Sequence, residues 1–181
     1  LVYVGSINQF RGLETVIEAL QYVVEHETDI EFVIAGDGPH KEALERLTRT
    51  LNLDDYVTFL GWIDSEEIPR FLASGDVGVI PHQVSPYTNV TIPNKLFDYM
   101  AAGLPVLATS TTPVQRVVEE TQCGRIIPTG ASTREIADLI TEMRHAELSK
   151  YASNGNRAIE SRYNWDHEGQ TVNEALLSIV D

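Results

Sequence analysis

Residues 1–24, LVYVGSINQFRGLETVIEALQYVV, contain a short apolar strand, a loop bounded by two glycines and an amphipathic helix. In the helical part, apolar side chains recur at steps of three and four residues, at Leu13, Val16, Ile17, Leu20, Val23 and Val24. Glutamate and glutamine side chains occupy positions between them, so one face of the helix is expected to lie on a sheet. This stretch predicts one strand–loop–helix unit.

The same unit recurs along the chain. Apolar or β-branched runs predict six strands, at Leu1–Val4, Glu31–Ala35, Val57–Leu60, Val77–Ile80, Val106–Ala108 and Arg125–Ile127. Segments of helical period separate them, at 41–51, 65–74, 93–102, 113–121 and 132–144. Strands that alternate with helices join by right-handed crossovers into a parallel sheet. We therefore predict an α/β fold, a single Rossmann-like domain whose six-stranded parallel sheet has helices on both faces.

The pattern changes after the sixth strand. Residues 132–163 predict two helices with an interruption at Gly155, and Trp165–Val180 predicts a last helix with no further strand. A length of 181 residues corresponds to about one domain at ~150 residues per domain. We expect residues 1–181 to form one domain with a helical C-terminal tail.

Composition excludes several classes of protein. The 13 basic and 27 acidic residues give an acidic chain of net charge −14, which argues against binding nucleic acid. Its single cysteine, Cys123, cannot form an intramolecular disulfide, and no run approaches the ~18 apolar residues of a membrane span. These features predict a cytoplasmic location.

Metal and nucleophile motifs are missing from the sequence. The five histidines are scattered without His-x-x-x-His spacing, so we predict no metal site. No Gly-x-Ser-x-Gly elbow or cysteine–histidine pairing suggests an enzyme nucleophile. Any chemistry must therefore come from the loops at the strand ends, where open α/β sheets bind their ligands.

Two glycine loops follow the first two strands. The loop from Gly5 to Gly12 brings free backbone N–H groups and Arg11 to the start of a helix, which favours a phosphate. It matches neither the G-x-G-x-x-G dinucleotide fingerprint nor a P-loop, and a plain turn with a solvated arginine stays open. Gly36 and Gly38 would allow a ligand or another segment to approach the backbone closely, although such a pair is also common in turns.

The third loop, from Pro81 to Ile92, is long for a strand–helix connection, and such loops are often functional. The helix that follows it carries Lys95 and Asp98 three residues apart, on one face near its start. The alternative interpretation of these two residues is a surface ion pair.

Five motifs in order carry a family resemblance over essentially the whole chain. They are Tyr3-Val4-Gly5 with Arg11-Gly12, then residues 35–39 (AGDGP), 57–61 (VTFLG), 74–81 (SGDVGVIP) and 93–106 (PNKLFDYMAAGLPV). Each is weak alone, but together and at these intervals they are specific. The chain resembles the C-terminal, donor-binding half of a family-4 retaining glycosyltransferase of the GT-B architecture.

The resemblance implies roles for charged residues. Arg11 stands where the family has a lysine on the donor diphosphate, and Ser6 stands where it has an arginine. Lys95 would partly replace the missing charge, so Arg11 and Lys95 are the candidate catalytic residues. Asp98 matches the second carboxylate of the family's Glu-x7-Glu motif, which binds the ribose hydroxyls. Val90 occupies the position of the first carboxylate of that motif.

Backbone groups complete the donor site that the resemblance implies. The backbone of Val90, Thr91 and Ile92 would frame the sugar and phosphate. The base would lie near Gly61 and Trp62, with help from the loop of Gly36 and Gly38. Gly5 would contact the donor at the first strand. A UDP-linked and a GDP-linked donor both stay open. The family transfers sugar with retention and without a metal, other cofactor or obvious nucleophile, so stabilising diphosphate charge is the physical task.

The resemblance also implies a larger enzyme of hexosyltransferase type. The family has an N-terminal domain that binds the acceptor, which is expected to lie outside this chain, so the fragment should bind without transferring. The acceptor, whether glycan, lipid or small molecule, and a peripheral position at the inner membrane face stay open. The helix of residues 165–180 would cross to the other domain, and its exposed apolar face would favour a homodimer. Alternatives are a non-catalytic sugar-nucleotide-binding module, suggested by Ser6 and Val90, and a sugar-nucleotide epimerase.

Overall fold

Six parallel strands form the centre of the computed structural model, which describes residues 1–167 and residues 169, 173 and 177. The strands are β1 (Val2–Val4), β2 (Phe32–Ala35), β3 (Val57–Gly61), β4 (Gly78–Ile80), β5 (Val106–Thr109) and β6 (Gly124–Ile127). Their order across the sheet is β3-β2-β1-β4-β5-β6, and every neighbouring pair is parallel. The predicted six-stranded parallel sheet is confirmed.

Helices cover both faces of this sheet. They are α1 (Leu13–Val23), α2 (Lys41–Thr50), α3 (Ile68–Leu72), α4 (Lys95–Ala101), α5 (Thr112–Thr121), α6 (Thr133–Arg144) and α7 (Leu148–Ser161). Buried side chains of α1, α2 and α6 pack on one face, against Tyr3, Phe32 and Ile34. Those of α3, α4 and α5, with partly buried side chains of α7, pack on the other face, against Val4 and Val106. Because side chains alternate along a strand, central strands such as β1, β2, β4 and β5 supply both cores.

The boundary between the sixth and seventh helices differs from the prediction. The sequence predicts an interruption at Gly155, but α7 is continuous through this residue, and the break lies at residues 145–147. Gly155 is buried against Met100 of α4 and Cys123, so the absence of a side chain lets the two helices approach. Packing, not termination, explains this glycine.

Replacing Gly155 with alanine is expected to stabilise the fold slightly. A Cβ at this position would lie 3.4 Å from Met100 Cα and 3.5 Å from Cys123 Cβ, which is ordinary van der Waals contact. Alanine also favours a helix over glycine, so urea denaturation should show a gain of about 0.5–1 kcal/mol. Gly155→Leu, the matched larger change, should instead lose about 1 kcal/mol or more through overpacking. A loss in both variants would show that the interface has no room for a methyl group.

The strand order reverses between β1 and β4. These two strands pair in register only at Val2 and Gly78, and they separate toward their carboxyl ends. The buried Tyr99 of α4 lies in the gap, where its hydroxyl accepts a hydrogen bond from the Val4 N–H at 3.2 Å. A crevice thus opens at the carboxyl edge of the sheet, above Tyr99, at the place where doubly wound sheets bind ligands.

Two expectations concern the end of the chain. The predicted helix Trp165–Val180 and the homodimer proposed through it fall largely outside the described residues. Within the described part of the chain, no helix is long and apolar enough to cross a membrane.

Candidate functional site

A cleft of about 450 Å³ occupies the crevice where the strand order reverses. The loop after β1, the loop after β4 and the first turn of α4 form its walls. Its lining includes Gly5, Ser6, Arg11, His82, Thr91, Ile92, Lys95 and Asp98. Six of the sequence-predicted site residues are thus brought together from separate parts of the chain: Gly5, Arg11, Thr91, Ile92, Lys95 and Asp98.

The loop after β1 holds Arg11 at the cleft. Residues 9–11 form a short 3₁₀ turn that Asn8 caps by accepting from the Phe10 N–H. The Arg11 guanidinium lies 3.2 Å from the Ser6 hydroxyl, to which it donates, and 3.3 Å from Nε2 of His82. Arg11 Nε is buried and has no hydrogen-bond partner among the described residues. Neutral groups hold the cation, and no carboxylate of the described residues forms an ion pair with it.

Lys95 points its amine into the same region. The Nζ atom is buried, lies 3.6 Å from the centre of the Tyr3 ring, and has no hydrogen-bond partner in the described part of the chain. Burial, and secondarily the nearby Arg11 cation, hold the pKa of Lys95 well below its ordinary value. An anion placed in the cleft would supply the missing partner and raise the pKa of this amine again.

Tyr3 supports this arrangement from below. Its hydroxyl donates to the Ser6 carbonyl oxygen at 2.8 Å, and burial raises the pKa of Tyr3 to about 12. The ring therefore stays neutral and presents its face to Lys95 as a cation–π partner. The sequence marks Tyr3 as part of the first strand and of the first family motif, but its contact with Lys95 is not predictable from either.

Asp98 lies at the same cleft but is not paired with Lys95. None of the ion pairs between described residues joins the two side chains, so the surface ion-pair interpretation is wrong. Partial desolvation raises the pKa of the Asp98 carboxyl, and the Lys95 charge opposes this rise. The carboxylate faces open space beside the cations, where it can accept hydrogen bonds from a ligand.

The long loop after β4 is internally fixed. The buried Thr88 hydroxyl donates to the Gln83 carbonyl oxygen at 2.8 Å and accepts from the Ser85 N–H at 2.8 Å. Asn89 Oδ1 accepts from the Thr112 N–H at 3.0 Å, at the N-terminus of α5. These bonds give the cleft wall a defined shape before any ligand binds.

The three residues predicted to frame the sugar differ in exposure. Val90 ends a 3₁₀ turn at Thr88–Val90, and its side chain is 78% exposed. Thr91 and Ile92 line the cleft, whereas Val90 is not among the described residues that line it. This stretch therefore reaches the cleft at Thr91 and Ile92, and the role of their backbone stays a prediction.

The glycines at the next strand ends lie beside the cleft rather than in its described lining. A Cβ at Gly36 would clash with the Gly5 carbonyl oxygen, and a Cβ at Gly38 would clash with the Ile7 carbonyl oxygen. The Gly36 N–H donates to the Gly61 carbonyl oxygen at 2.7 Å. Close packing of loops accounts for Gly36 and Gly38, and donor contact at these positions and at Gly61 stays a prediction.

His82 is a site residue that sequence analysis missed. It is 4% exposed, lines the cleft, and contacts Arg11 from a position 71 residues away in sequence. Burial and the Lys95 and Arg11 charges lower its pKa to about 3. Its position directly after Pro81, at the carboxyl end of a central strand, is the sequence feature that could have indicated a site residue. Among the described residues, no three His, Cys, Asp or Glu side chains converge as metal ligands.

Comparison with known proteins gives a consistent family. Residues 1–145 match the family model described as Glycosyl transferases group 1. The chain is 32% identical over 143 residues to the alpha-D-kanosaminyltransferase of Streptomyces kanamyceticus, which covers 79% of this chain and 36% of that protein. It is 26% identical over 181 residues to the putative colanic acid biosynthesis glycosyltransferase WcaL of Escherichia coli K12, covering 99% and 44%. The chain thus spans less than half the length of these two relatives.

Solved structures share the fold. HepE of Anabaena, solved in complex with UDP-glucose, has a TM-score of 0.82 at 21% identity, covering 98% of this chain and 48% of that one. The C-terminal domain of the group 1 glycosyl transferase LpcC from Francisella tularensis has a TM-score of 0.76 at 23% identity, covering 91% and 85%. At these identities the likeness shows a common architecture.

Proposed function

The chain belongs to the group 1 glycosyltransferases, and on that premise we propose that it is the donor-binding half of a retaining, family-4 GT-B enzyme. In this proposal a nucleotide-sugar, UDP- or GDP-linked, occupies the cleft at the strand-order reversal. The sugar passes to an acceptor held by a second domain. Because the chain spans less than half of its relatives' length, transfer is a property of the whole enzyme, and this chain alone binds.

The observation that carries the proposal is the pair of cationic side chains at the cleft. Arg11 and Lys95 each bring a buried nitrogen without a protein hydrogen-bond partner, within the described residues, to the same opening. A buried cation without a counter-charge is costly, and a diphosphate would supply both the charge and the acceptor oxygens. The solved relative HepE was obtained with UDP-glucose, which supports this class of ligand.

The other residues then take consistent roles. Asp98 accepts hydrogen bonds from the ribose hydroxyls, while the backbone at Thr91 and Ile92 frames the sugar. The base extends along the rim toward Gly61. As the sugar–phosphate bond breaks, negative charge grows on the leaving diphosphate, and Arg11 and Lys95 stabilise that charge. These side chains require no metal for this step.

Nucleotide-sugar binding without added metal is the expected result of a first experiment. Calorimetric titration of this chain with UDP-glucose, GDP-mannose and their nucleosides should show binding of at least one sugar nucleotide. The affinity should be equal in chelator and in excess Mg²⁺, because the side-chain cations Arg11 and Lys95 carry the charge recognition. The matched nucleoside should bind more weakly.

Three outcomes would contradict parts of this proposal. Binding that requires a divalent cation would place the diphosphate on a carboxylate–metal site instead of on Arg11 and Lys95. Release of a free epimer by the full-length protein without an acceptor would identify an epimerase. Tight binding by the full-length protein without release of nucleoside diphosphate, across a panel of acceptors, would favour a non-catalytic module.

A further inference from the structure

His82 occupies a fixed position between two elements of the cleft. It lies two residues after the end of β4, and its carbonyl oxygen accepts from the Thr109 hydroxyl of β5 at 2.6 Å. Its Nε2 lies 3.3 Å from NH1 of Arg11, on the loop after β1. His82 is thus bonded to the sheet through its backbone and contacts Arg11, the candidate diphosphate residue, through its ring.

The chemistry of this contact defines the state of the ring. A guanidinium can only donate, so Nε2 must be the acceptor and the neutral ring carries its proton on Nδ1. The charged groups that act on the ring are Arg11 from the loop after β1 and Lys95 from α4, and Asp98 of α4 lines the same cleft. Both near neighbours are cationic when charged, which disfavours a protonated imidazole.

The two loops that carry His82 and Arg11 are also tied through their backbones. The Gln83 N–H donates to the Phe10 carbonyl oxygen at 3.1 Å, and Gln83 Nε2 donates to that of Gln9 at 3.3 Å. A Cβ at Gly12 would coincide with the Pro81 carbonyl oxygen, so the loops touch on both sides of the Arg11–His82 contact. The geometry is therefore set by the fold before a ligand arrives.

We propose that His82 is a positioning residue whose uncharged imidazole orients the Arg11 guanidinium for the donor diphosphate. The inference rests on the proposed function, since it needs a phosphate at Arg11. Together with the Ser6 hydroxyl, His82 fixes the plane of the guanidinium, which leaves its other N–H groups available to the ligand. A fork oriented in advance loses less conformational freedom on binding.

A double-mutant cycle on this chain tests the coupling. The ligands are UDP and GDP, each compared with its nucleoside by calorimetry, in the native chain, His82→Leu, Arg11→Ala and the double variant. His82→Leu should weaken diphosphate binding about fivefold to tenfold and leave the nucleoside unchanged, as expected for the loss of one hydrogen bond that orients a charged group. In the Arg11→Ala background, His82→Leu should cause no further loss.

Two further variants separate positioning from structural support. His82→Gln keeps an acceptor near the place of Nε2 and should restore most of the diphosphate affinity, whereas His145→Leu, a matched change at an exposed histidine, should leave it unchanged. With a UDP-sugar, whose phosphates are both esterified, the His82→Leu effect should stay constant from pH 5.5 to 8. Thermal unfolding of each variant verifies folding.

Failure of the positioning role and failure of the proposed function give different results. Equal weakening of nucleoside and diphosphate, or additive losses in the double variant, would overturn the positioning role while leaving the proposed function intact. A native chain that binds no nucleoside diphosphate, or an Arg11→Ala variant with undiminished diphosphate affinity, would remove the proposed phosphate site and the inference with it. A His82→Gln variant as weak as His82→Leu would also contradict an acceptor role.

Discussion

Replacing Arg11 with alanine is expected to weaken nucleoside diphosphate binding by about 1.5–3 kcal/mol, which is roughly tenfold to hundredfold in affinity. The guanidinium is held by neutral partners, Ser6 and His82, so its charge is available to the ligand. The bare nucleoside lacks the phosphates and should bind equally well before and after the change. Isothermal calorimetry with UDP and uridine, or with GDP and guanosine, measures the difference.

Two controls define the meaning of this result. Arg46→Ala removes an exposed arginine of α2 that pairs with Glu42, and it should not change diphosphate affinity. Arg11→Lys keeps the charge but loses the planar fork, so an intermediate affinity is expected. If the alanine variant weakens nucleoside and diphosphate equally, Arg11 does not act on phosphate.

Asp98→Asn is expected to weaken ribonucleotide binding roughly tenfold or more. Two hydrogen bonds from ribose hydroxyls to a carboxylate contribute about 1.5–3 kcal/mol each, before the cost of dehydrating the carboxylate. The 2′,3′-dideoxy ligand should already bind weakly to the native chain and should lose little more in the variant. A helix-surface charge would contribute only about 0.3–0.5 kcal/mol to folding and nothing to ribose selectivity.

The pH dependence of this effect has a defined direction. The ionised form of Asp98 is the acceptor, and its pKa is raised in the free protein by desolvation. Ribonucleotide affinity should therefore fall as the pH drops through this raised pKa, and the Asn variant should not show that fall. Asp138→Asn, at an exposed carboxylate of α6, is the matched control. An unchanged ribose-over-dideoxy preference in Asp98→Asn would exclude the assigned role.

The strands were predictable because their apolar runs are short, β-branched and separated by helical periodicity. All six match the structure to within a residue or two at each end. Gly155 was misinterpreted because a glycine that ends a helix and one that admits a neighbouring helix have the same local sequence signal. Only the contact with Met100 and Cys123, far away in the chain, distinguishes them.

The sequence predicts those site residues that follow neighbouring strands of the sheet. It does not predict contacts between side chains of different loops. Arg11, Lys95 and Asp98 meet because they follow strands whose carboxyl ends lie side by side. The ion pair between Lys95 and Asp98, the alternative interpretation, is not formed. Lys95 Nζ instead lies 3.6 Å from the centre of the Tyr3 ring, a contact that spacing within one helix cannot indicate. His82 was missed for the same reason, since its partner lies on another loop.

The interlocked loops at Gly36 and Gly38 have a consequence for how such a protein can diversify. A side chain at either position would occupy the space of a carbonyl oxygen of the first loop, at Gly5 or Ile7. Substitution of either glycine is therefore not expected to be tolerated, since any larger residue displaces the loop that carries Arg11. The side chains of Tyr87 and Val90, on the loop after β4, are exposed, so substitution there is expected to leave the backbone in place. Lineages that acquire a new donor preference should accumulate their substitutions there, and deep mutational scanning should show that asymmetry.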